Sequence, residues 1–276
     1  MKKIFFVAGL ISIVLLLIIA VSWRKHHDVI ADEGYKDIIA ENRDFNNINI
    51  TGINLYAEIS QGHTYSAQIN KACCAVRSGV TEGTLNITQL DKCKCGEEVL
   101  KITVPELFAC DRATINLSSG AIVLQDLVCG EINLSTLSAD IEIAGSSVSI
   151  ANMNTQSGNI TMRNSEIASA DIKTESGNIS GKMVTLHESF INTASGDIGL
   201  EGRFENVLNL TASSGDIAVD SSLPAAEYNK EIEAAYGSVY INGQHVGSKH
   251  IDGHEAAVNK LVAFTATGSI NLSFAQ

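Results

Sequence analysis

The sequence predicts an all-β protein: a parallel β-solenoid (β-helix) of 19-residue coils, preceded by one N-terminal transmembrane helix. Three observations predict it. A four-residue phrase recurs at a fixed interval, apolar residues recur in columns at the same interval, and an uncharged apolar stretch precedes both. Fixed periods of this size are typical of stacked coils, in which each unit buries its apolar side against its neighbours.

The repeated phrase is Ser-Gly-Asp-Ile, found at Ser195–Ile198 and again at Ser214–Ile217. Aligned on the glycine, which is Ala139 in one copy, six copies follow one another in steps of 19 residues. They are Ser119–Ile122, Ser138–Ile141, Ser157–Ile160, Ser176–Ile179, Ser195–Ile198 and Ser214–Ile217. Two looser copies, Tyr236–Val239 and Thr267–Ile270, follow after wider steps of 22 and 31 residues.

We interpret the phrase as shaping the chain. Glycine can adopt positive φ at a tight corner, and Asp or Asn can hydrogen-bond nearby backbone or stacked neighbours. The structural corner residues are therefore Gly120, Gly158, Gly177, Gly196, Gly215, Asp197 and Asp216. A calcium row along the Asp/Asn column is the functional alternative. The chain lacks the Gly-Gly-x-Gly-x-Asp pattern of calcium-binding β-rolls, so we predict no metal and no cofactor.

Columns in the same register predict the core. The residue two after each glycine is always isoleucine: Ile122, Ile141, Ile160, Ile179, Ile198 and Ile217. The residue fourteen after it is also apolar: Leu134, Met153, Ile172, Ile191 and Leu210. We expect one short strand after each glycine and another before the next serine, with these side chains stacked inward.

The stretch from Ile4 to Trp23 contains no charge and is long enough to span a bilayer. Residues 1–24 are therefore expected to be a retained anchor, with a cleavable signal peptide as the alternative. Residues 25–44 are a polar juxtamembrane linker. A long domain after a lone N-terminal signal is usually exported, so the expected protein is single-pass, with its body outside the cytoplasm.

The expected domains after the linker are an N-terminal β cap region over 45–109 and the solenoid over 110–276, with an insert near 221–262. Four cysteines in the cap region, Cys73, Cys74, Cys93 and Cys95, are disulfide candidates in an exported chain, with a zinc site as the alternative. Cys110 and Cys129 occupy one apolar column. We expect them to be buried free thiols, because stacked Cβ atoms about 4.8 Å apart are too distant for a bridge.

Composition and motifs exclude several functions. A net charge of −12 without a basic run argues against nucleic-acid binding. No Gly-x-Ser-x-Gly elbow is present. His245, His250 and His254 form a weak metal candidate in a Gly-rich stretch that is more typical of an exposed loop. The outward columns show no carboxylate cluster: Gln125, Ala144, Arg163, Lys182, Glu201; and Asn133, Asn152, Asp171, Phe190, Asn209.

The chain resembles the "putative adhesin" family of bacterial envelope proteins, which are DUF-type β-solenoid domains. The resemblance rests on Lys101–Pro105, Ile115–Gly120, the Ser-Gly-Asp-Ile corners and the closing Phe264–Leu272. It covers about residues 45–276 and implies surface binding, with no catalytic residues to carry over. The cysteines, the two wide final steps and the insert depart from the family pattern.

The sequence therefore predicts a non-enzymatic envelope protein, a membrane-tethered solenoid that binds or acts as a spacer. The expected partners are the membrane, through residues 4–23, and envelope glycans or surface proteins. Two alternatives stay open at this point. One is a carbohydrate-active β-helix enzyme, which needs convergent acids or bases on an outer face. The other is a membrane-tethered regulatory protein of envelope stress.

Overall fold

The computed structural model describes residues 35–39, 44–70, 75–90, 98–253 and 255–276. Lys36–Gln276 form one compact unit, whose described residues are almost entirely β-strand and include one short 3₁₀ helix, Ala225–Glu227. The predicted all-β class is confirmed. The predicted membrane segment, residues 4–23, lies outside the described residues, and within the described ranges no helix is long and apolar enough to cross a bilayer.

Six strands precede the regular repeats. They are β1 Tyr35–Asp37, β2 Asn47–Gly62, β3 Ser66–Asn70, β4 Val76–Thr81, β5 Thr84–Gln89 and β6 Glu98–Pro105. Eight strands form the repeats: β7 Ala109–Gln125, β8 Val128–Ala144, β9 Ser147–Thr155, β10 Ile160–Arg163, β11 Glu166–Ser176, β12 Ile179–Ser195, β13 Ile198–Ser214 and β14 Ile217–Pro224. Six follow: β15 Tyr228–Tyr236, β16 Val239–Ile241, β17 Gln244–Gly247, β18 Lys249–Asp252, β19 Asn259–Thr267 and β20 Ile270–Ala275.

The repeats form parallel stacked coils in the predicted register. β7 pairs with β8 in parallel, and each paired residue lies 19 positions from its partner, as in Ile122 and Ile141. The same offset continues through β8 to β14, except at residues 184–186 of β12, whose partners in β13 lie 18 positions further on. The expected break at the corner occurs after β9, β11, β12 and β13, whereas β7 and β8 continue as single strands through their corners. We call the strand segments before the Ser-Gly corner the first face and those after it the second face.

The core lies between the two faces. The isoleucine column of the second face is no more than 1 % exposed at any position from Ile122 to Ile217. The column from Leu134 to Leu210 on the first face is no more than 2 % exposed at any position. Burying each such side chain is worth roughly 1.5–3 kcal/mol, so stacked aliphatic columns can stabilise a chain that is poor in aromatic residues.

The two last coils do not stack in chain order, which corrects the expected arrangement of residues 221–276. β19 and β20 pair in parallel with β13 and β14, so Gly268 rather than Gly237 follows Gly215 in the stack. β15 and β16 then pair with the outer side of β19 and β20. The expected insert near 221–262 thus lies, in sequence, between two coils that stack directly on each other. Residues 221–262 contain a further coil, which forms the outermost parallel layer at this end.

Antiparallel strands close the solenoid at both ends. β18 and β17 pair antiparallel with β15 and β16, so His245 and His250 lie in strands rather than in the expected exposed loop. At the other end β5 and β6 form a coil outside β2, and β4 and β3 pair antiparallel with them. Antiparallel cover of this kind blocks the in-register parallel growth that a bare coil would permit.

Cys110 and Cys129 are stacked partners in β7 and β8, and the structure joins them in a disulfide. Both are buried as expected, but the expectation of free thiols is wrong. Their Cα atoms are 4.4 Å apart, closer than the strand spacing on which that expectation rested and within the range for disulfides. Cys73, Cys74, Cys93 and Cys95 lie outside the described residues, and their oxidation remains a prediction.

Alkylation of the denatured, unreduced chain should therefore leave Cys110 and Cys129 unlabelled. Mass spectrometry should recover their peptides joined. Reduction should lower the Tm, because in the chain-entropy view a bridge closing a loop of about 15 residues stabilises by roughly 3 kcal/mol. A Cys110→Ser/Cys129→Ser variant should lose this sensitivity at these sites. Full labelling of both thiols before reduction would contradict the bridge.

Candidate binding surface

The corner column is a structural ladder. In each coil the Asp or Asn after the corner accepts, through its side-chain oxygen, the backbone N–H of its counterpart in the next coil. The distances are 2.7–3.0 Å along Asp140, Asn159, Asn178, Asp197, Asp216 and Ser269. These oxygens therefore serve the coil-to-coil connection. No group of three His, Cys, Asp or Glu side chains suited to a metal ion is found in the described ranges.

The corner glycines are required by close approach of neighbouring coils more than by backbone conformation. φ is in the left-handed range at Gly120, Gly196 and Gly215, but not at Gly158 or Gly177. At all five positions a Cβ would lie 2.0–2.1 Å from a backbone carbonyl oxygen of the preceding coil. Contact between neighbouring coils is therefore the physical reason for glycine that these five positions share.

Buried threonines reinforce the same corner. Thr155 is fully buried, donates to the carbonyl of Ala139 at 3.3 Å and accepts from the Thr136 hydroxyl at 2.8 Å. Thr174 and Thr193 likewise donate to the carbonyls of Gly158 and Gly177, at 3.2 Å each. Each hydroxyl donates a hydrogen bond to a corner carbonyl from inside the coil, so this column of threonines stabilises the fold.

Thr155→Val should destabilise the chain by about 1–3 kcal/mol. Valine preserves the shape but removes a buried hydroxyl, leaving the Thr136 hydroxyl and a corner carbonyl each without one partner. Thermal or denaturant unfolding measures the loss. Thr161→Val, on the solvent-facing side of β10, is the control and should change stability by less than about 0.5 kcal/mol. Equal effects of the two substitutions would contradict the assigned role of Thr155.

The first face carries a run of amide and hydroxyl side chains toward solvent. Asn133 and Asn152 are stacked partners, and Asn152 Nδ2 donates to Asn133 Oδ1 at 2.9 Å. We call the depression around them, of about 390 Å³, the amide groove. Its side chains come from adjacent coils: Asn116; Asn133 and Ser135; Asn152 and Asn154; Asp171 and Lys173.

One ion pair lines the amide groove and a second adjoins it. Lys173 Nζ is 2.9 Å from Asp171 Oδ2 in the wall of the groove. Beside Asn133, Arg112 Nη2 is 2.6 Å from Glu131 Oε2, and Asn133 donates to Glu131 Oε1 at 2.8 Å. Each ion pair combines one positive with one negative side chain, and the amides of the groove are neutral.

The hydrogen bond from Asn133, followed by those from Arg112, lowers the pKa of the Glu131 carboxyl. A lowered native pKa means that the carboxyl stays ionised and hydrogen-bonded at pH values below the ordinary carboxyl range, and its contribution to stability is complete above the unfolded pKa. Its contribution is lost as the pH falls through the native pKa. At neutral pH Glu131 is therefore an ionised acceptor that holds the Asn133 amide in place.

The second face places two carboxylates side by side, which the sequence columns did not include as a pair. Glu201 and Asp220 are stacked partners in β13 and β14, and both are exposed. In sequence, the outward column from Gln125 to Glu201 continues one repeat later with Asp220, which the column above did not include. These two stacked carboxylates are a pair whose substitution tests for acid–base catalysis.

A third charged cluster lies at an irregularity in the stacking of β12 on β13. His187 Nδ1 is 3.0 Å from Glu205 Oε2, and His187 Nε2 is 3.3 Å from Glu166 Oε1. The hydrogen bond from Arg203, with a smaller contribution from His187, lowers the pKa of the Glu205 carboxyl. These contacts join three successive coils where the register shifts between Leu186 and Glu188, so the cluster supports the stack.

Known proteins share this architecture. Residues 93–273 match the family model described as Toastrack DUF4097. A solved structure described as a putative adhesin from Bacteroides fragilis NCTC 9343 aligns with a TM-score of 0.55 at 13% identity, covering 86% of this chain and 95% of that one. A putative adhesin from Parabacteroides distasonis ATCC 8503 aligns with a TM-score of 0.50 at 12% identity, covering 86% and 95%.

A third solved structure, described as a putative lipid binding protein from Parabacteroides distasonis ATCC 8503, aligns with a TM-score of 0.54 at 18% identity, covering 87% of this chain and 97% of that one. No curated protein matches the chain. At these identities the structural likeness establishes the fold, and the resemblance seen in the repeats is confirmed. Because the family model spans well over half of the sequence, the chain belongs to the Toastrack DUF4097 family.

Proposed function

We propose that this chain is a non-enzymatic, adhesin-like envelope protein that binds through an outer face of its solenoid. Residues 4–23 tether it to the membrane, with the body outside the cytoplasm. The observation that carries the binding role is the amide groove. It offers hydrogen-bonding side chains from consecutive coils on a rigid stack. The descriptions of two structural neighbours as putative adhesins support the same role.

Rigid presentation is what suits such a surface to binding. Side chains on the first face project from strands whose backbones are paired on both sides, so little conformational entropy is lost when a ligand binds. Glu201 and Asp220 are both exposed, without the enclosure that is usual for a catalytic site. These features favour a binding protein over the enzyme alternative.

The experiment compares three strains: one producing the full chain, one lacking it, and one producing a chain without residues 1–24. Fractionation should place the full chain in the membrane, and protease added outside the cytoplasmic membrane should degrade its body. Attachment to surfaces or other cells should fall in the strain that lacks the chain. Recovery of the full chain in the cytosol, or unchanged attachment and envelope integrity, would contradict the proposal.

A further inference from the structure

From the composition of the amide groove we propose that its ligand is a neutral glycan, held by hydrogen bonds to side chains of four consecutive coils. This inference rests on the proposed binding function and adds the site and the chemical class of the ligand. Several groups in the groove have hydrogen-bonding capacity to spare. Within the described part of the chain, the side-chain amides of Asn116 and Asn154 form no hydrogen bond.

Amide side chains match the chemistry of sugar hydroxyls. Each Asn presents a carbonyl acceptor and an NH₂ group with two donors, whereas a hydroxyl both donates and accepts. Asn152 uses one N–H on Asn133, so its carbonyl oxygen and its second N–H remain for a ligand. Stacked coils repeat these groups about every 4.8 Å, and alternate residues along one strand repeat them about every 6.6 Å. A chain of linked hydroxylated rings suits such a two-dimensional array.

The charges favour a neutral ligand over an anionic one. Lys173 in the groove is paired with Asp171, and Arg112, near Asn133, is paired with Glu131. An acidic sugar or a phosphate would have to compete with those carboxylates.

An exposed aromatic ring lies next to Asp171 at the edge of the amide groove. Phe190 is the stacked partner of Asp171 in the next coil and is 41 % exposed. Ligand sites commonly combine a few polar groups with apolar or aromatic surface. A pyranose ring has hydroxyls on its edges and C–H groups on its faces, so it can bond the amides and pack on Phe190. An acyl chain would instead leave the amides desolvated and unpaired, which disfavours a lipid ligand.

The test applies the full-length chain to an array of immobilised oligosaccharides, neutral and anionic, and to vesicles of phosphatidylcholine and phosphatidylglycerol. We expect saturable retention on at least one neutral oligosaccharide. Asn133→Ala/Asn152→Ala should weaken it about tenfold or more, because groove hydrogen bonds are lost. Thr161→Ala/Ser180→Ala is the matched control, since it also removes one hydrogen bond between coils, but on the second face. It should leave binding within about twofold.

Asn154→Ala separates loss of binding from loss of folding. The Asn154 side chain makes no hydrogen bond in the described part of the chain, so its removal should leave stability unchanged, yet it should still weaken binding. Retention only on anionic sugars or only on vesicles would overturn the ligand class. Equal binding by the groove and control variants would overturn the site. Either result would leave the proposed binding function standing if attachment still depends on the chain, whereas loss of that dependence would remove the function itself.

Discussion

Deleting residues 259–276 should abolish the cooperative fold of the C-terminal half of the solenoid. β19 and β20 lie between the coil of β13 and β14 and the coil of β15 and β16. They bury Leu261, Ile270 and Leu272. At roughly 1.5–3 kcal/mol for each, these side chains alone approach the whole stability of a typical domain. Circular dichroism, thermal unfolding and hydrogen exchange should all register the loss.

The control is a chain that lacks only Gln276, which should unfold like the intact protein. Coils stacked in chain order would lose merely their last layer on truncation at residue 258, and Tm would fall slightly while residues 217–241 stayed protected from exchange. That outcome would contradict the observed order of the coils. Hydrogen exchange separates the two cases because it reports on residues 228–241 directly.

Gly177→Ala should destabilise the chain by about 1–3 kcal/mol or more, the cost of forcing extra volume into a packed interior. The added Cβ would lie 2.0 Å from the carbonyl oxygen of Gly158, and backbone cannot move aside as a side chain can. Positive φ plays no part at this position. The substitution therefore isolates the inter-coil contact, and the free energy of unfolding in denaturant measures it.

Gly199→Ala is the matched control. Gly199 also lies in the stacked coils, but a Cβ there would have no atom within 4 Å. Reduced freedom of the unfolded chain should make this variant equal to, or up to about 1 kcal/mol more stable than, the parent. If Gly177→Ala were as mild as Gly199→Ala, close packing would not be the reason for glycine at the corners.

The regular part of the fold could be predicted from the sequence because the same residue types recur every 19 positions, and this recurrence determines which residues pair between coils. A one-residue slip would turn Ile141 or Ile160 to solvent, so the 19-residue step fixed which residues stack. The order of the last coils could not be predicted in this way. Gly237 and Gly268 both satisfy the corner pattern, and only packing of complete coils decides which of them follows Gly215.

The residues of the candidate site form a column in the sequence, but only the structure shows that they line one groove. The sequence predicts that Asn133 and Asn152 face outward, and by itself this argues only against a carboxylate cluster. Their mutual hydrogen bond and the adjoining column from Asn116 to Lys173 appear only when the coils stack. The bridge between Cys110 and Cys129 could not be predicted from the average spacing of neighbouring strands, because the local distance between their Cα atoms is shorter, 4.4 Å.

Binding without turnover is the central claim, and one measurement tests it most directly. The full-length chain is incubated with the polysaccharide that it retains best, and both the bound fraction and the polymer length are followed for many hours. We predict saturable, reversible binding and a polymer of unchanged length. Shortening of the polymer that is abolished by Glu201→Gln or Asp220→Asn would contradict the claim and establish an enzyme on the second face.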